Sequence, residues 1–216
     1  MSLYSIRRHE RNIMNKFDIN ENVILTDVDG VLLNWEWAFK GWLKEHIWFR
    51  EGRELKEVVP GSYEMNERYG LTVEQGKEYV AMFNKSAAIG FLPPQRDAMY
   101  YVDLLHRKHG FTFQVITSLS KNQHACHLRT QNLQKLFGET AFRGFTYLDT
   151  AADKDEALAV YKDSGLIWIE DKLMNAEAGQ KVGLDCYLIE HGHNMHMTNP
   201  NIKLVKNWKE IYELIT

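Results

Sequence analysis

The chain has 216 residues, of which 44% are hydrophobic and 25% charged, and its formal net charge is -3. This profile is typical of one globular α/β domain with a modest insertion, and the charge argues against a broad nucleic-acid-binding surface. Two cysteines, Cys126 and Cys186, cannot form a disulfide framework and favour a reducing, cytoplasmic setting. No apolar stretch approaches the roughly 20 residues of a membrane span. Residues 1–16 turn charged where a signal peptide would become apolar, which predicts a mobile leader.

A short apolar run at Val23–Leu25 leads into acidic residues and Gly30. This is typical of a buried parallel strand that ends in a loop. The next segment, from about Trp35 to Gly90, is aromatic-rich and has helical patterning. Within it, Thr72-Val-Glu-Gln75 is a capping box that predicts a helix through about Phe83.

From residue 95 onward, predicted helices and strands alternate. Ser120-Lys-Asn-Gln123 is a second capping box, and Gly110 lies where a helix C-cap belongs. The predicted helices are 95–109, 120–137, 153–162, 172–180 and 207–215, and the strands are 111–116, 144–148, 166–169 and a final core strand at 186–189. This alternation predicts a doubly wound parallel sheet, in which ligands bind beyond the carboxyl ends of the strands. We therefore predict a Rossmann-like core at 17–33 and 93–216, with residues 34–92 inserted after the first strand as a helical cap.

Two aspartates, Asp27 and Asp29, follow the first predicted strand and precede Gly30. Residues two apart at a strand end can both reach one site. One carboxylate could therefore attack while the other exchanges protons with the leaving oxygen. Gly30 permits the tight turn that brings backbone close to a ligand. Taken alone, an Asp-x-Asp-Gly pattern is most often a turn or a helix cap.

Three further features follow the later strands. Thr117-Ser118 offers hydroxyls and backbone N–H groups at a helix entrance, which is a natural phosphate site. Lys154 could neutralise phosphoryl charge, and the hard oxygens of Glu170-Asp171 could complete a Mg²⁺ site. Each has a structural alternative: Thr117-Ser118 could cap a helix, Lys154 could lie on a solvated face, and Glu170-Asp171 could be a charge pair in a loop. Their ordered placement at successive strand ends favours one shared site.

With these motifs the chain resembles the haloacid dehalogenase-like hydrolase superfamily, phosphatase branch, from Val23 to Ile215. The family's first motif is Asp-x-Asp. The resemblance implies that Asp27 is the phosphorylated nucleophile and Asp29 the general acid/base. It also implies that Lys154 and the hydroxyl of Thr117 or Ser118 bind phosphate.

The resemblance further implies a Mg²⁺ ion held by a carboxylate oxygen of Asp27, the backbone carbonyl of Asp29 and the acidic fourth motif, Glu170-Asp171. The cation, Lys154 and backbone N–H groups would offset the repulsion between a carboxylate and an anionic ester. Dehalogenase members need no metal and generally lack the second aspartate, so Asp29 favours phosphatase activity.

A finer resemblance is to the 5'(3')-deoxyribonucleotidases. The stretches that carry it are Asp27–Trp35, Tyr69-Gly70 and a tail from His193-Asn194 through Asn207–Ile211. The Thr117-Ser118 pair also looks like the second motif of that branch. The small phosphorylated substrate is therefore expected to be a nucleoside monophosphate.

That resemblance implies substrate-binding roles for three residues. Trp35 is expected to stack on the nucleobase, a contact worth roughly 1–3 kcal/mol, with Tyr63 as a second aromatic. Glu64 departs from the family, which has an aromatic residue there. Lys172 replaces an arginine and keeps its charge without the planar fork.

Two other groups of residues have competing interpretations. His191, His193 and His196 invite a transition-metal site, but no cysteine or carboxylate flanks them at structural-zinc spacing, which favours a solvated or capping role. The aromatic residues of the inserted segment are predicted to form mostly the segment's own core; they are Trp35, Trp37, Phe39, Trp42 and Trp48.

The leading hypothesis is a Mg²⁺-dependent phosphohydrolase that cleaves a small phosphomonoester through an aspartyl-phosphate, with a 5'(3')-nucleotidase as the best guess. The alternatives are a phosphosugar phosphatase or phosphomutase on the same scaffold, and a catalytically idle binding module. An idle module would have no need of all four of Asp27, Asp29, Lys154 and Asp171. No nucleic-acid polymer and no membrane is expected as a partner.

Overall fold

A computed structural model describes residues 22–196 and 199–216, so the predicted leader lies outside the described residues. Within that part, six strands form one parallel sheet in the order β3-β2-β1-β4-β5-β6. They are β1 (Val23–Thr26), β2 (Thr112–Thr117), β3 (Phe142–Tyr147), β4 (Ile167–Glu170), β5 (Asp185–Ile189) and β6 (Lys203–Val205). Helices lie between successive strands from β1 to β5, which confirms the predicted doubly wound α/β fold.

The helices follow the predicted order closely. They are α1 (Trp35–Glu51), α2 (Met65–Tyr69), α3 (Val73–Lys85), α4 (Ala98–His109), α5 (Gln123–Phe137), α6 (Asp155–Ala159), α7 (Leu173–Lys181) and α8 (Trp208–Ile215). Helix α3 begins with the predicted capping box, because the Thr72 and Gln75 side chains each accept from the other's backbone N–H. Helix α4 ends at Gly110, whose φ of 73° is the left-handed conformation of a C-cap. No described helix is long and apolar enough to span a membrane.

The central strand β1 is buried along its whole length. Ile24 packs into a large cluster that includes Phe113, Ile169 and Trp208, whereas Leu25 packs with Trp168 in a second cluster. Successive strand residues point to opposite faces, so both faces of the sheet are covered. Each such fully buried apolar side chain contributes about 1.5–3 kcal/mol to the hydrophobic stabilisation.

The two ends of the segment from 34 to 92 lie next to each other. The backbone N–H of Asn34 donates to Pro93 (2.9 Å), and that of Gln95 donates to Leu32 (2.8 Å). From the far end of the chain, the indole N–H of Trp208 donates to the carbonyl of Val31 (2.9 Å). The loop after β1 is therefore fixed from two sides immediately beyond Asp27 and Asp29.

The second predicted capping box is wrong. Helix α5 begins after Asn122, whose side chain accepts from the N–H of Ala125 (3.1 Å), while the Ser120 hydroxyl accepts from the N–H of Asn122 (3.1 Å). Asparagine is at least as good an N-cap as serine. A serine hydroxyl can instead close a local turn two residues on. Both side chains are therefore used, in consecutive turns.

Three other expectations are corrected. Helix α6 spans only five residues of the predicted ten, because the chain continues in tighter turns, in which Tyr161 N–H donates to Leu158 and Lys162 N–H to Ala159. The strand at 185–189 is not the last, since the three-residue β6 pairs with it at the sheet edge. Trp37 and Trp48 are 67% and 56% exposed and do not belong to the core of the inserted segment, unlike Phe39.

Candidate active site

Three neighbouring strands bring the predicted site residues together. Asp27 follows β1, Thr117 ends β2, and Glu170 ends β4, with β1 between the other two in the sheet. Parallel strands end at the same edge of a sheet, so these side chains share one crevice. Asp27 and Glu170 are far apart in the sequence but close in space, because β1 pairs with β4 and Thr26 lies opposite Ile169.

A cluster of three carboxylates lies at this edge. Asp27, Glu170 and Asp171 each offer an oxygen, and these oxygens lie within 4.8 Å of one another. Asp27 and Glu170 are buried, at 6% and 0% exposure. The backbone of Gly30 lies so close to Asp171 that a Cβ at residue 30 would be 2.2 Å from Oδ2 of Asp171.

Lys154 is the cation of this cluster. It is the residue before α6, it is almost completely buried, and its Nζ lies 2.8 Å from Oδ1 of Asp27 and 2.6 Å from Oε2 of Glu170. The other Glu170 oxygen accepts the backbone N–H groups of Asp171 and Lys172, both at 3.1 Å. Both oxygens of Glu170 are therefore engaged in holding Lys154 and the loop after β4.

The ionisation of the cluster follows from burial and from these pairs. Burial is the main cause that raises the pKa of Asp27 to about 7; the charges of Glu170 and Asp29 act in the same direction, and Lys154 opposes them. Burial and the charges of Glu170 and Asp27 likewise raise the pKa of Asp171 well above its ordinary value. For Lys154, burial acts against the charge, but the two carboxylates outweigh it and raise its pKa. The excess negative charge is what a bound cation would offset.

Asp29 is held by a residue that no sequence motif indicated. Nη1 of Arg129, on α5, lies 2.5 Å from Oδ1 of Asp29. The Arg129 side chain is completely buried, whereas that of Asp29 is 26% exposed. The two residues are 100 positions apart. Only the sheet topology brings them together, and no local pattern could have revealed the pair.

Thr117 and Ser118 lie at the end of β2, as predicted for the phosphate-binding hydroxyls. The Ser118 hydroxyl donates to the carbonyl of Ala152 (2.7 Å). The Thr117 hydroxyl makes no side-chain hydrogen bond to any residue within the described ranges, and Thr117 is 1% exposed.

One contact between the segment 34–92 and the rest of the chain lies near the carboxylates. It joins Tyr63 to Lys172 and His193. The Lys172 ammonium lies 5.2 Å from the Tyr63 ring centroid, and the His193 ring lies 5.1 Å from it at a steep angle. Tyr63 remains 47% exposed at the mouth of the crevice. Its pKa is raised by burial around the hydroxyl and by the charges of Asp171 and Glu170.

Of the predicted solvated or capping roles, His191 and His193 have the second, because each ring caps a backbone carbonyl of a neighbouring loop. His191 Nε2 donates to the carbonyl of Gly30 (2.7 Å), and His193 Nε2 donates to that of Asp171 (3.1 Å). The buried Asn194 amide also donates to the Asp171 carbonyl (2.7 Å). Only His196 of the three histidines is exposed. These contacts tie the loops after β1 and β4 together.

Trp35 lies at the start of α1 with one ring face covered. Its ring stacks on Phe39 with centroids 4.6 Å apart, and its indole N–H donates to Oδ1 of Asn84 (2.9 Å). Asn84 in turn donates to the carbonyl of Leu119, in the loop after β2. Trp35 is therefore part of the aromatic cluster of the inserted segment, and it is linked to the core.

Solved structures of similar architecture were found in several bacteria. A haloacid dehalogenase-like hydrolase from Streptococcus pneumoniae superposes with a TM-score of 0.62 at 13% identity, over 91% of this chain and 99% of that one. CbbY from Rhodobacter sphaeroides, solved with phosphate, gives a TM-score of 0.58 at 17% identity over 88% and 96%. The chain has the haloacid dehalogenase-like fold. YfnB from Bacillus subtilis, named a HAD-hydrolase and solved with bound magnesium, gives 0.53 at 15% identity over 91% and 99%.

Sequence comparison adds one relative of the chain. An uncharacterized 32.4 kDa protein from the Gp30-rIII intergenic region of enterobacteria phage T4 is 29% identical over 120 residues, which are 53% of this chain. The match spans only 40% of the length of that curated relative. No protein-family model matches the chain.

The residues of this site fit a magnesium ion. Three buried or half-buried carboxylates with a single ammonium between two of them leave negative charge that the described residues do not offset. Carboxylate oxygens are the ligands that Mg²⁺ prefers. Because both Glu170 oxygens are engaged, Asp27 and Asp171 are the better placed ligands.

Proposed function

We propose that the protein is a Mg²⁺-dependent phosphohydrolase that cleaves a small phosphomonoester through an aspartyl-phosphate on Asp27. The observation that carries this proposal is the position of Asp27, which directly follows the central strand, with Lys154 at 2.8 Å and two further carboxylates in range of a shared cation. The haloacid dehalogenase-like fold supports the same reaction class by analogy.

Asp27 and Asp171 would hold the Mg²⁺ ion, together with the backbone carbonyl of Asp29. When bound, the ion supplies positive charge that orients the phosphate and offsets its repulsion from the nucleophile. Lys154 adds a fixed positive charge beside the attacking oxygen. Glu170 positions Lys154 through their 2.6 Å ion pair.

Two displacements complete the reaction. An Asp27 carboxylate oxygen attacks phosphorus, the ester P–O bond breaks, and the leaving oxygen takes a proton from the Asp29 carboxyl. Water then attacks the aspartyl-phosphate, Asp29 takes the proton of that water, and the bond between Asp27 and phosphorus breaks. The products are an alcohol and inorganic phosphate, and both aspartates return to their starting forms.

The inserted segment at 34–92 is proposed to act as a cap that selects the substrate. Tyr63 reaches from it to Lys172 and His193 of the core, at the mouth of the carboxylate crevice. An aromatic ring and an ammonium so placed would suit the base or the sugar of a nucleoside monophosphate, the substrate class that we propose.

A phosphosugar is the second candidate substrate. One face of Trp35 is already covered by Phe39 and its indole N–H is used by Asn84, so its capacity to stack on a base is reduced. In addition, CbbY from Rhodobacter sphaeroides, which shares the fold at a TM-score of 0.55, was solved with xylulose-(1,5)bisphosphate. Both observations favour a substrate without a stacked base.

The reaction class is tested by hydrolysis of p-nitrophenyl phosphate with Mg²⁺ and with chelator. Wild type should turn over only with Mg²⁺, and Asp27→Asn should abolish turnover. Asp103→Asn is the matched control, because Asp103 is a half-exposed aspartate of α4 that pairs only with Arg107 among the residues described. Activity of Asp27→Asn, or activity with chelator, would refute the mechanism.

The substrate class is tested separately with a panel of nucleoside 5'- and 3'-monophosphates and sugar phosphates. We expect at least one nucleotide to give the highest kcat/KM. If every sugar phosphate that is cleaved exceeds every nucleotide, the nucleotidase assignment is wrong while the phosphohydrolase assignment stands.

A further inference from the structure

Arg129 is a buried cation outside the phosphate- and metal-binding motifs. It lies on α5 with its side chain completely buried, and within the described part of the chain only Nη1 has a partner, which is Oδ1 of Asp29 at 2.5 Å. Nε and Nη2 are buried without a hydrogen-bond partner in the described part of the chain. Burial of a guanidinium with so few partners is costly, so its retention calls for a role beyond stability.

The pair is asymmetric in a way that suits positioning. Asp29 is partly exposed to the crevice, whereas Arg129 lies behind it and has no exposed surface. Arg129 therefore cannot touch a substrate. It fixes one oxygen of Asp29, and Oδ2 has no hydrogen-bond partner among the residues that the structure describes.

The aspartate that Arg129 holds belongs to a short loop. Gly30, directly after it, has a φ of 78°, and its N–H donates to the carbonyl of Leu33 (2.9 Å). The backbone at Asp29 is thus fixed by the loop, whereas its side chain is held, among the residues described, by the hydrogen bond from the Arg129 guanidinium. Removing that contact would free the carboxyl without moving the backbone.

We propose that Arg129 is a positioning residue for Asp29: it anchors Oδ1 from behind and leaves Oδ2 facing the leaving oxygen. This inference rests on the proposed function, in which the Asp29 carboxyl gives its proton to the leaving oxygen as the ester P–O bond breaks. A carboxyl that rotates freely would spend less time within proton-transfer distance, so loss of Arg129 would slow esters that need this proton.

The test compares two leaving groups. An alkyl phosphate needs protonation of its leaving alkoxide, whereas p-nitrophenolate leaves with little assistance. Because kcat/KM reports the steps through the first bond cleavage, Arg129→Met should lower it about 100-fold for the alkyl ester, within the range of general acid catalysis. For p-nitrophenyl phosphate the loss should be less than about 10-fold.

Two further variants define the role. Since only Nη1 is used, the single ammonium of Arg129→Lys can replace it, and this variant should restore the alkyl ester to within about 10-fold of wild type. In the Asp29→Asn background, Arg129→Met should have little added effect on the alkyl ester. Lys135→Met, an exposed change on the same helix, is the matched control and should behave as wild type.

Folding and Mg²⁺ affinity of each variant are measured by circular dichroism and calorimetry. The Asp29 side chain is open to water, the loop fixes the Asp29 backbone, and Arg129 contacts none of the three clustered carboxylates, so both should be retained in Arg129→Met. Equal loss for both esters, or losses that multiply in the double variant, would overturn the positioning role alone. If wild type cleaves neither ester with Mg²⁺, the proposed function fails and this inference fails with it.

Discussion

The backbone of Gly30 lies directly against the carboxylate of Asp171. Gly30 has a φ of 78°, and a Cβ there would lie 2.2 Å from Oδ2 and 2.7 Å from Cγ of Asp171. His191 holds the Gly30 carbonyl from the opposite loop. The absence of a side chain at residue 30 is therefore what allows the loops after β1 and β4 to approach each other this closely.

Gly30→Ala should weaken Mg²⁺ binding by at least about 10-fold, because the new methyl group must displace a proposed ligand. The positive φ should also cost roughly 1–2 kcal/mol of stability. Calorimetric titration with Mg²⁺ and urea unfolding measure the two effects.

The control for this change is Gly110→Ala. Gly110 has a similar φ of 73°, but a Cβ there meets no atom within 4 Å. It should lose stability to a comparable extent and retain Mg²⁺ affinity. Equal losses of Mg²⁺ affinity in the two variants would contradict the role given to the Gly30–Asp171 contact.

Mg²⁺ affinity should rise with pH up to about 7. Burial raises the pKa of Asp27 to about 7 and raises that of Asp171 as well, so protons compete with the cation below neutrality. Each proton displaced changes the apparent Kd by about 10-fold per pH unit. Titrations at pH 5, 6, 7 and 8, in buffers of different ionisation enthalpy, measure the affinity and the proton release.

Stability of the metal-free protein should change with pH in the opposite direction. A carboxyl whose pKa is raised in the folded state binds more protons there than in the unfolded state. Its contribution is therefore present at low pH and is lost as pH rises from about 4 to about 7. Asp27→Asn should reduce this dependence of stability on pH.

For the Mg²⁺ titrations, a Kd that is constant between pH 5 and 7 would contradict the raised pKa values of Asp27 and Asp171.

Lys154→Met should destabilise the protein by about 3–5 kcal/mol, because it leaves the buried Asp27 and Glu170 without their cation. It should also lower kcat by at least about 100-fold, since the charge beside the attacking oxygen is lost. Unfolding in urea and steady-state kinetics measure the two effects.

Two further variants test the Lys154→Met prediction. Adding Glu170→Gln to Lys154→Met should recover part of the stability, because one unpaired charge is removed, but none of the activity. Lys203→Met is the surface comparison, since Lys203 pairs with Asp185 while half-exposed, and it should cost less than about 1 kcal/mol. Similar costs for the Lys154 and Lys203 changes would show that the buried cluster is not ionised as proposed.

Sequence patterns predicted the features that depend on local chemistry. The buried strand before Asp27, the Thr72 capping box and the alternation after residue 95 all have short-range signals, and each was confirmed. The site residues could be grouped because parallel strands end at one edge of a sheet. Strand β6 was not predicted, because its three residues, two of them exposed, are too few to form a periodic pattern.

The contacts that refine the site depend on tertiary structure. Arg129 reaches Asp29 across 100 residues, and His191 reaches Gly30 across 161. No neighbouring motif distinguishes Arg129 from a surface arginine, and the histidine pattern around His191 does not indicate Gly30 as its partner. Such partners of the proposed catalytic residues are set by how α5 and the loop after β5 pack on the sheet, which single-sequence patterns do not encode.

Trp35→Ala distinguishes substrate stacking from packing within the inserted segment. If the exposed part of the ring stacks on a base, KM should rise about 5-fold or more for nucleoside monophosphates, as expected for about 1 kcal/mol or more of stacking. For p-nitrophenyl phosphate, KM should change less than 2-fold by the same reasoning. Trp42→Ala is the matched comparison, because Trp42 packs on the same Phe39 at 6.2 Å. Two outcomes would contradict stacking by Trp35: equal rises in the nucleotide KM for Trp35→Ala and Trp42→Ala, or equal rises in KM for both substrates of Trp35→Ala. Trp35 would then serve the aromatic cluster, and the base would be recognised elsewhere.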